Sequence, residues 1–210
     1  MKHIKKVLPN GLRVILVPKK ESTSVLVSVT VQAGSNYESE KDSGISHFLE
    51  HMCFKGTTKR PQSTEIAREL DSIGAMYNAS TNRYQTEYYV RVRPKHLAQV
   101  FDIVSDLYLN PLLPVEEIEK EKGVVCDEID MYADDPSSVA SQLMLEKLFG
   151  DQVAGRDVAG TKKHVQSFTR EQIKKYRDTH YVAGKTIVTL AGNFDPKKAL
   201  QLVRKAFDKL

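Results

Sequence analysis

Val25, Val27, Val29 and Val31 alternate with Leu26, Ser28 and Thr30, a two-residue period in β-branched side chains. Such alternation predicts a strand. Another strand is expected over residues 12–17. The turn Pro9-Asn10-Gly11 joins it to a short strand over 4–8, because Asn-Gly favours the positive φ values of a type I′ turn. Gly34-Ser35-Asn36 ends the valine strand, and helical signals follow. One helix is predicted over 43–54 with Asp42 or Ser43 as its cap. Pro61-Gln62-Ser63-Thr64-Glu65 opens another that runs to about residue 73 and stops at Gly74. Strands are expected over 75–82 and 86–92. Pro94 opens a helix to about 109, and a long helix covers about 115–132. Asp135-Pro136 starts one that ends at Gly150. Residues 150–166 read as Gly-rich and irregular. Thr169 caps a helix to about 180, a strand covers 185–190, and Asp195-Pro196 starts the final amphipathic helix. Hairpin-linked strands mixed with long helices predict an α+β fold. One mixed or antiparallel sheet carries helices packed mainly on one face.

Composition narrows the class. The 210 residues are 40% hydrophobic and 28% charged, ordinary for a chain that buries a core. A formal charge of +4 is too weak to argue for nucleic acid, so no nucleic-acid partner is expected. Apolar runs are strand-sized, far short of the roughly 20 residues of a membrane span, and no membrane partner is expected. The N-terminal Met1-Lys2-His3-Ile4-Lys5-Lys6-Val7 has no apolar stretch behind it, so a signal peptide is not expected. Two cysteines, Cys53 and Cys126, fit free thiols of a reducing compartment. The expected localisation is cytoplasmic.

The candidate chemistry sits in His47-Phe48-Leu49-Glu50-His51, inside the predicted helix 43–54. Residues advance about 100° each there, so His47 and His51 share a face one turn apart. Two imidazoles at that spacing can bind one metal ion. Glu50 projects toward the same side, where it can take a proton from a metal-bound water. The H-x-x-E-H order inverts the H-E-x-x-H helix of zinc proteases. A catalytic zinc wants three protein ligands and an open position. The third is expected from the acidic helix 115–132, which offers Glu116, Glu117, Glu119, Glu121, Asp127, Glu128 and Asp130. Glu121 and Glu128 are seven apart and lie on nearly one face. One can ligate while the other orients a ligand; spacing alone leaves open which does which. His3, His96, His164 and His180 lack ligand spacing and read as structural.

The run Gly44-Ile45-Ser46-His47-Phe48-Leu49-Glu50-His51-Met52-Cys53-Phe54-Lys55-Gly56-Thr57 resembles the pitrilysin/insulinase/mitochondrial-processing-peptidase family of inverted zinc metalloendopeptidases. Further matches follow in order. They include Asn78-Ala79-Ser80-Thr81, Glu121-Lys122-Gly123-Val124-Val125-Cys126-Asp127-Glu128-Ile129, His180-Tyr181 and Ala191-Gly192-Asn193-Phe194. The resemblance spans nearly the whole chain and implies the metallohydrolase fold of the processing peptidases. It implies Zn2+ held by His47, His51 and Glu128, with Glu50 as general base and Glu121 as the supporting acid. It also implies that Asn78 and Ala79 present backbone to an extended peptide and that Phe54 lines the pocket after the scissile bond.

The chain departs from that family in three places. Family members resemble two copies of such a domain. Residues 1–210 are expected to be one metal-bearing domain, the N-terminal half, whose partner is a second homologous domain or subunit closing over the peptide. The half alone is expected to be weakly active or inactive. Positions ten and fourteen past Glu128 are Ser138 and Gln142, where processing peptidases resemble one another in carrying acids, so a presequence-type specificity is not expected. The loop Gln152-Val153-Ala154 lacks the family's common His-Pro pair. The alternative reading is a noncatalytic peptide-binding or assembly subunit. Relatives of that kind usually lack a motif residue, whereas every one is present here.

Overall fold

The structure is a computed structural model and describes residues 2–210. Six strands and eight α-helices follow one another in runs along the described residues. The strands are β1 (Ile4–Val7), β2 (Arg13–Pro18), β3 (Val25–Val31), β4 (Met76–Thr81), β5 (Thr86–Val92) and β6 (Thr186–Gly192). The helices are α1 (Ile45–Cys53), α2 (Ser63–Ser72), α3 (Leu97–Leu109), α4 (Val115–Ala133), α5 (Pro136–Phe149), α6 (Lys162–Ser167), α7 (Arg170–His180) and α8 (Pro196–Phe207). The sheet order is β1-β2-β6-β3-β5-β4, and the two sequence-distant strands β2 and β6 pair in parallel while the others pair antiparallel.

The valine alternation sets the core. In register, Val14, Val188, Val29 and Tyr88 form one row across four strands, and Leu16, Leu190, Val27 and Val90 form the next. All eight are buried. Antiparallel partners point the same way, so each row lies on one face. Helices α1, α3 and α8 pack against the sheet. Phe101, Val104 and Tyr108 of α3 and Phe207 of α8 complete the buried cluster. Burying such side chains stabilises by roughly 1.5–3 kcal/mol each. Strand β4 takes the outer position beside β5, and α1 lies against both.

Two predictions from sequence are corrected here. The helix bearing the histidines starts at Ile45, and neither Asp42 nor Ser43 caps it. Its N-cap is Gly44 at φ 92°, with no side-chain cap of its own. The carboxylate of Glu38, buried six residues upstream, accepts from Gly44 N and Ser46 N at 2.8 Å each. A distant acid thus satisfies the free N–H groups that a local cap normally takes. The segment 150–166 is not irregular throughout. A 3-10 turn covers Val153–Gly155, and Thr161 caps the short helix α6. Six residues are too few for a periodic signal to stand out.

Gly44 also meets the 157–161 loop at close range. A Cβ on Gly44 would lie 2.3 Å from Ala159 O, and one on Gly160 would lie 2.3 Å from Ser43 O. Two glycines therefore let the two backbones touch where α1 begins. Beyond the other end of α1, buried Asp106 of α3 accepts from Arg60 Nη1 at 3.2 Å, from Asn110 Nδ2 at 2.9 Å and from the Thr57 hydroxyl. That network ties the loop after α1 to α3.

Gly44→Ala is expected to lower stability by about 2–5 kcal/mol, from a strained φ and a backbone clash together. Gly74 also has positive φ, 63°, but open space around it. Gly74→Ala is expected to lose only about 1–2 kcal/mol. Urea unfolding of the two variants checks the contrast.

Candidate metal centre

Helix α1 is two-sided. Ile45, Phe48, Leu49, Met52 and Cys53 are buried, while His47, Glu50 and His51 occupy its half-buried face. The 3.6-residue period produces this split. Ser46 Oγ hydrogen-bonds Tyr176 OH at 2.7 Å and locks α1 to α7. The half-buried face meets α4, whose Ile118 and Val125 are buried. Glu121 and Glu128, two turns apart on α4, then face the two histidines.

Three ligand-type atoms converge between the helices. His47 Nε2 and His51 Nε2 are 3.2 Å apart. Glu128 Oε2 lies 3.6 Å from the first and 3.4 Å from the second. Among the described residues this is the group of His, Cys, Asp and Glu that can hold a metal ion. Ligands placed tetrahedrally at 2.0–2.1 Å from zinc sit about 3.3–3.4 Å from one another. The triangle fits that ion. Its chemistry fits too, with two imidazoles and a carboxylate, a donor set suited to zinc.

Glu121 stands behind His51. Its Oε1 is 2.8 Å from His51 Nδ1, and its Oε2 is 2.5 Å from Lys55 Nζ. Nδ1 donates to the carboxylate, which turns Nε2 toward the triangle. The charges follow. Burial, reinforced by the neighbouring His51, lowers His47 to about 4. Burial also opposes charge on His51, but the hydrogen bond and charge of Glu121 outweigh it and raise that residue. Burial works against the Glu121 carboxylate as well, yet the bonds from His51 and Lys55 hold it below the usual range.

Glu50 lies on the same face of α1. Burial raises its pKa, against a hydrogen bond from Thr81 Oγ1 to its Oε2. Thr81 ends β4, so the sheet itself fixes the carboxylate. The outer edge of β4 pairs with no strand among the described residues. There the Ala79 N–H donates to Asn78 Oδ1 at 2.9 Å. A cleft of about 320 Å³ opens from the triangle, lined by His47, Thr81, Arg83, Glu128, Tyr132 and Asp157 among others.

The structure thus brings His47, Glu50, His51, Glu121 and Glu128 together. Asn78 and Ala79 lie on the adjoining sheet edge. Phe54 is the C-cap of α1, with its ring 6.2 Å from that of Tyr88, and does not line the cleft. Cys53 is buried. Cys126 is only half-buried, because its side of α4 grazes the core without entering it. His180 packs against Tyr176 with ring centroids 4.3 Å apart and the planes tilted by 31°, in keeping with a structural role. Three contributors had no expected role. Thr81 comes from β4 and carries no spacing signal, whereas Lys55 follows His51 by four residues just past the end of α1, a spacing that points to it. Tyr132 follows Glu128 by four residues, and helical spacing places it on the same face of α4.

Residues 13–162 match the family described as Insulinase (Peptidase family M16), and residues 167–210 match one described as Peptidase M16 inactive domain. All five converging side chains fall in the first segment. An uncharacterized zinc protease of Rickettsia felis is 36% identical over 203 residues, covering 97% of this chain and 49% of the relative. A probable mitochondrial-processing peptidase subunit beta of Arabidopsis thaliana is 34% identical over 203 residues, covering 97% of this chain and 38% of the relative. The crystal structure of a protease from Helicobacter pylori superposes with a TM-score of 0.89 at 27% identity, over 100% of this chain and 50% of that one. The chain spans about half the length of curated relatives it matches.

His47→Ala, His51→Ala and Glu128→Ala are each expected to abolish stoichiometric zinc uptake, while the unaltered chain takes up one equivalent. Equilibrium dialysis followed by elemental analysis checks it. Full uptake by any of the three variants would remove that residue from the site.

Proposed function

The chain belongs to the insulinase family, peptidase family M16, and from that premise we propose that it is the metal-bearing half of a zinc metalloendopeptidase acting on extended peptides or unfolded segments. The observation that carries the reading is the triangle of His47 Nε2, His51 Nε2 and Glu128 Oε2, with edges of 3.2, 3.4 and 3.6 Å, beside the buried Glu50. Those three residues would hold the zinc. When bound, zinc supplies a Lewis acid that makes water acidic near neutral pH and polarises a peptide carbonyl.

The chain's own residues do the rest. Glu50 accepts the proton of the attacking water and delivers it to the leaving amide nitrogen as the C–N bond breaks. Its raised pKa brings it nearer the operating pH, where such transfer contributes typically about 10²–10⁴ in rate. Thr81 holds Oε2, which leaves Oε1 for the proton. Glu121 orients His51.

The peptide adds as a strand along the free edge of β4, so main-chain hydrogen bonds bind it. In that reading Asn78 swings aside and gives up the Ala79 N–H to the peptide. In this reading Phe54 lines a separate pocket, outside the cleft described above, for the residue after the scissile bond. Gln142 donates to Gly155 O at 2.8 Å and is not an acid. Ser138 is likewise neutral, so the cleft has no carboxylate pair at these positions for a basic side chain.

Residues 1–210 form one domain in this reading. A second homologous domain or subunit closes over the peptide, and the half alone cleaves weakly or not at all. We place the protein in the cytoplasm, because Cys53 and Cys126 are free thiols. Among the described residues no helix is long and apolar enough to cross a membrane.

Glu50→Gln keeps the size and removes the proton acceptor. In the chain joined to its second half, this variant is expected to retain zinc and to cleave an unfolded peptide at least about 10²-fold more slowly. Cleavage at the unaltered rate would reject the role of Glu50. No cleavage by the unaltered, zinc-loaded protein would favour a noncatalytic subunit.

A further inference from the structure

The triangle excludes one of two carboxylates that α4 presents on nearly the same face. Glu121 is 2% exposed and lies directly behind His51, yet Glu128 supplies the ligand-type atom. Both oxygens of Glu121 are already taken. Oε1 is 2.8 Å from His51 Nδ1 and Oε2 is 2.5 Å from Lys55 Nζ. Among the described residues Glu128 has no lysine or arginine partner, and its other polar neighbour is the neutral Tyr132 one turn on. Its Oε2 faces both Nε2 atoms.

We propose that Lys55 is a positioning residue for the metal. By holding Oε2 it commits the Glu121 carboxylate to His51, and Glu128 remains as the sole carboxylate ligand. This rests on the zinc reading given above.

Three features make Lys55 able to do so. Its backbone is anchored, since Lys55 N donates to Met52 O at 3.2 Å at the end of α1. Gly56 follows at φ 124°, its carbonyl accepts from Leu112 N at 3.0 Å, and a Cβ there would lie 2.3 Å from Pro61 O. The Lys55 side chain is itself only 26% exposed, so the ammonium approaches Glu121 from a partly enclosed position. A carboxylate's terminal torsion is soft and broad. With only His51 as partner, Glu121 is free to twist away from Nδ1 or toward the metal. The second bond removes that freedom and fixes the His51 ring through it.

The test measures zinc dissociation constants by chelator competition. It compares the unaltered protein with Lys55→Met, Lys55→Arg, Glu121→Gln and the double variant Lys55→Met/Glu121→Gln. Loss of a partner behind a metal ligand typically weakens binding about 10–100-fold, and Lys55→Met is expected at the lower end. Lys55→Arg restores the native constant, since it replaces the donor. Because Lys55 acts through Glu121, Lys55→Met adds no further loss to Glu121→Gln. Native affinity in Lys55→Met overturns the proposal, and so do losses that add in full. If the unaltered protein binds no zinc, the zinc reading and this inference both fail. If it binds zinc and Lys55→Met binds equally well, only this inference fails.

Discussion

Two imidazole nitrogens lie 3.2 Å apart with a carboxylate oxygen 3.4–3.6 Å from them. Without a cation, those lone pairs repel. A proton or a metal ion between them turns repulsion into binding. The fold must therefore impose the arrangement, because the three side chains do not hold one another together. It does so by crossing α1 over α4 with the half-buried face of one against the acidic face of the other. A tetrahedral ion has the edge lengths that this crossing leaves open.

The rest of the domain keeps that crossing in place. Rows of valine and leucine across β2, β6, β3 and β5 build a rigid floor. Phe48, Leu49 and Met52 anchor α1 in the core beneath it. The start of α1 is fixed by Glu38 and by the glycine contact with the 157–161 loop. Its end is fixed by the loop that Asp106 gathers. The same sheet delivers Thr81 to Glu50 and, among the described residues, leaves the outer edge of β4 unpaired. The candidate metal ligands, Glu50 and the outer edge of β4 thus share one rigid support, as precise positioning requires.

Much of this was legible in the chain itself. The valine alternation marked β3, and the i, i+4 histidines marked the face of α1. The heptad relation of Glu121 and Glu128 placed both acids on one face of α4 but could not rank them. That ranking turns on Lys55, four residues past His51 but just beyond the end of α1, where helical periodicity no longer dictates which way a side chain points. The cap of α1 escapes local pattern for a similar reason. Glu38 is six and eight residues from the two N–H groups it satisfies, beyond the reach of capping rules. Parallel pairing of β2 with β6 joins strands nearly the whole chain apart, and only the packed sheet shows it. Residues whose roles are set by their own helix or strand could be read. Those whose roles are set by another element could not.

The most direct test of the central claim is X-ray absorption at the zinc edge of the zinc-loaded protein. The account predicts a first shell of nitrogen and oxygen at about 2.0–2.1 Å, with the outer-shell scattering of two imidazole rings and no sulfur. A sulfur shell near about 2.3 Å, or a shell without imidazole, would contradict it.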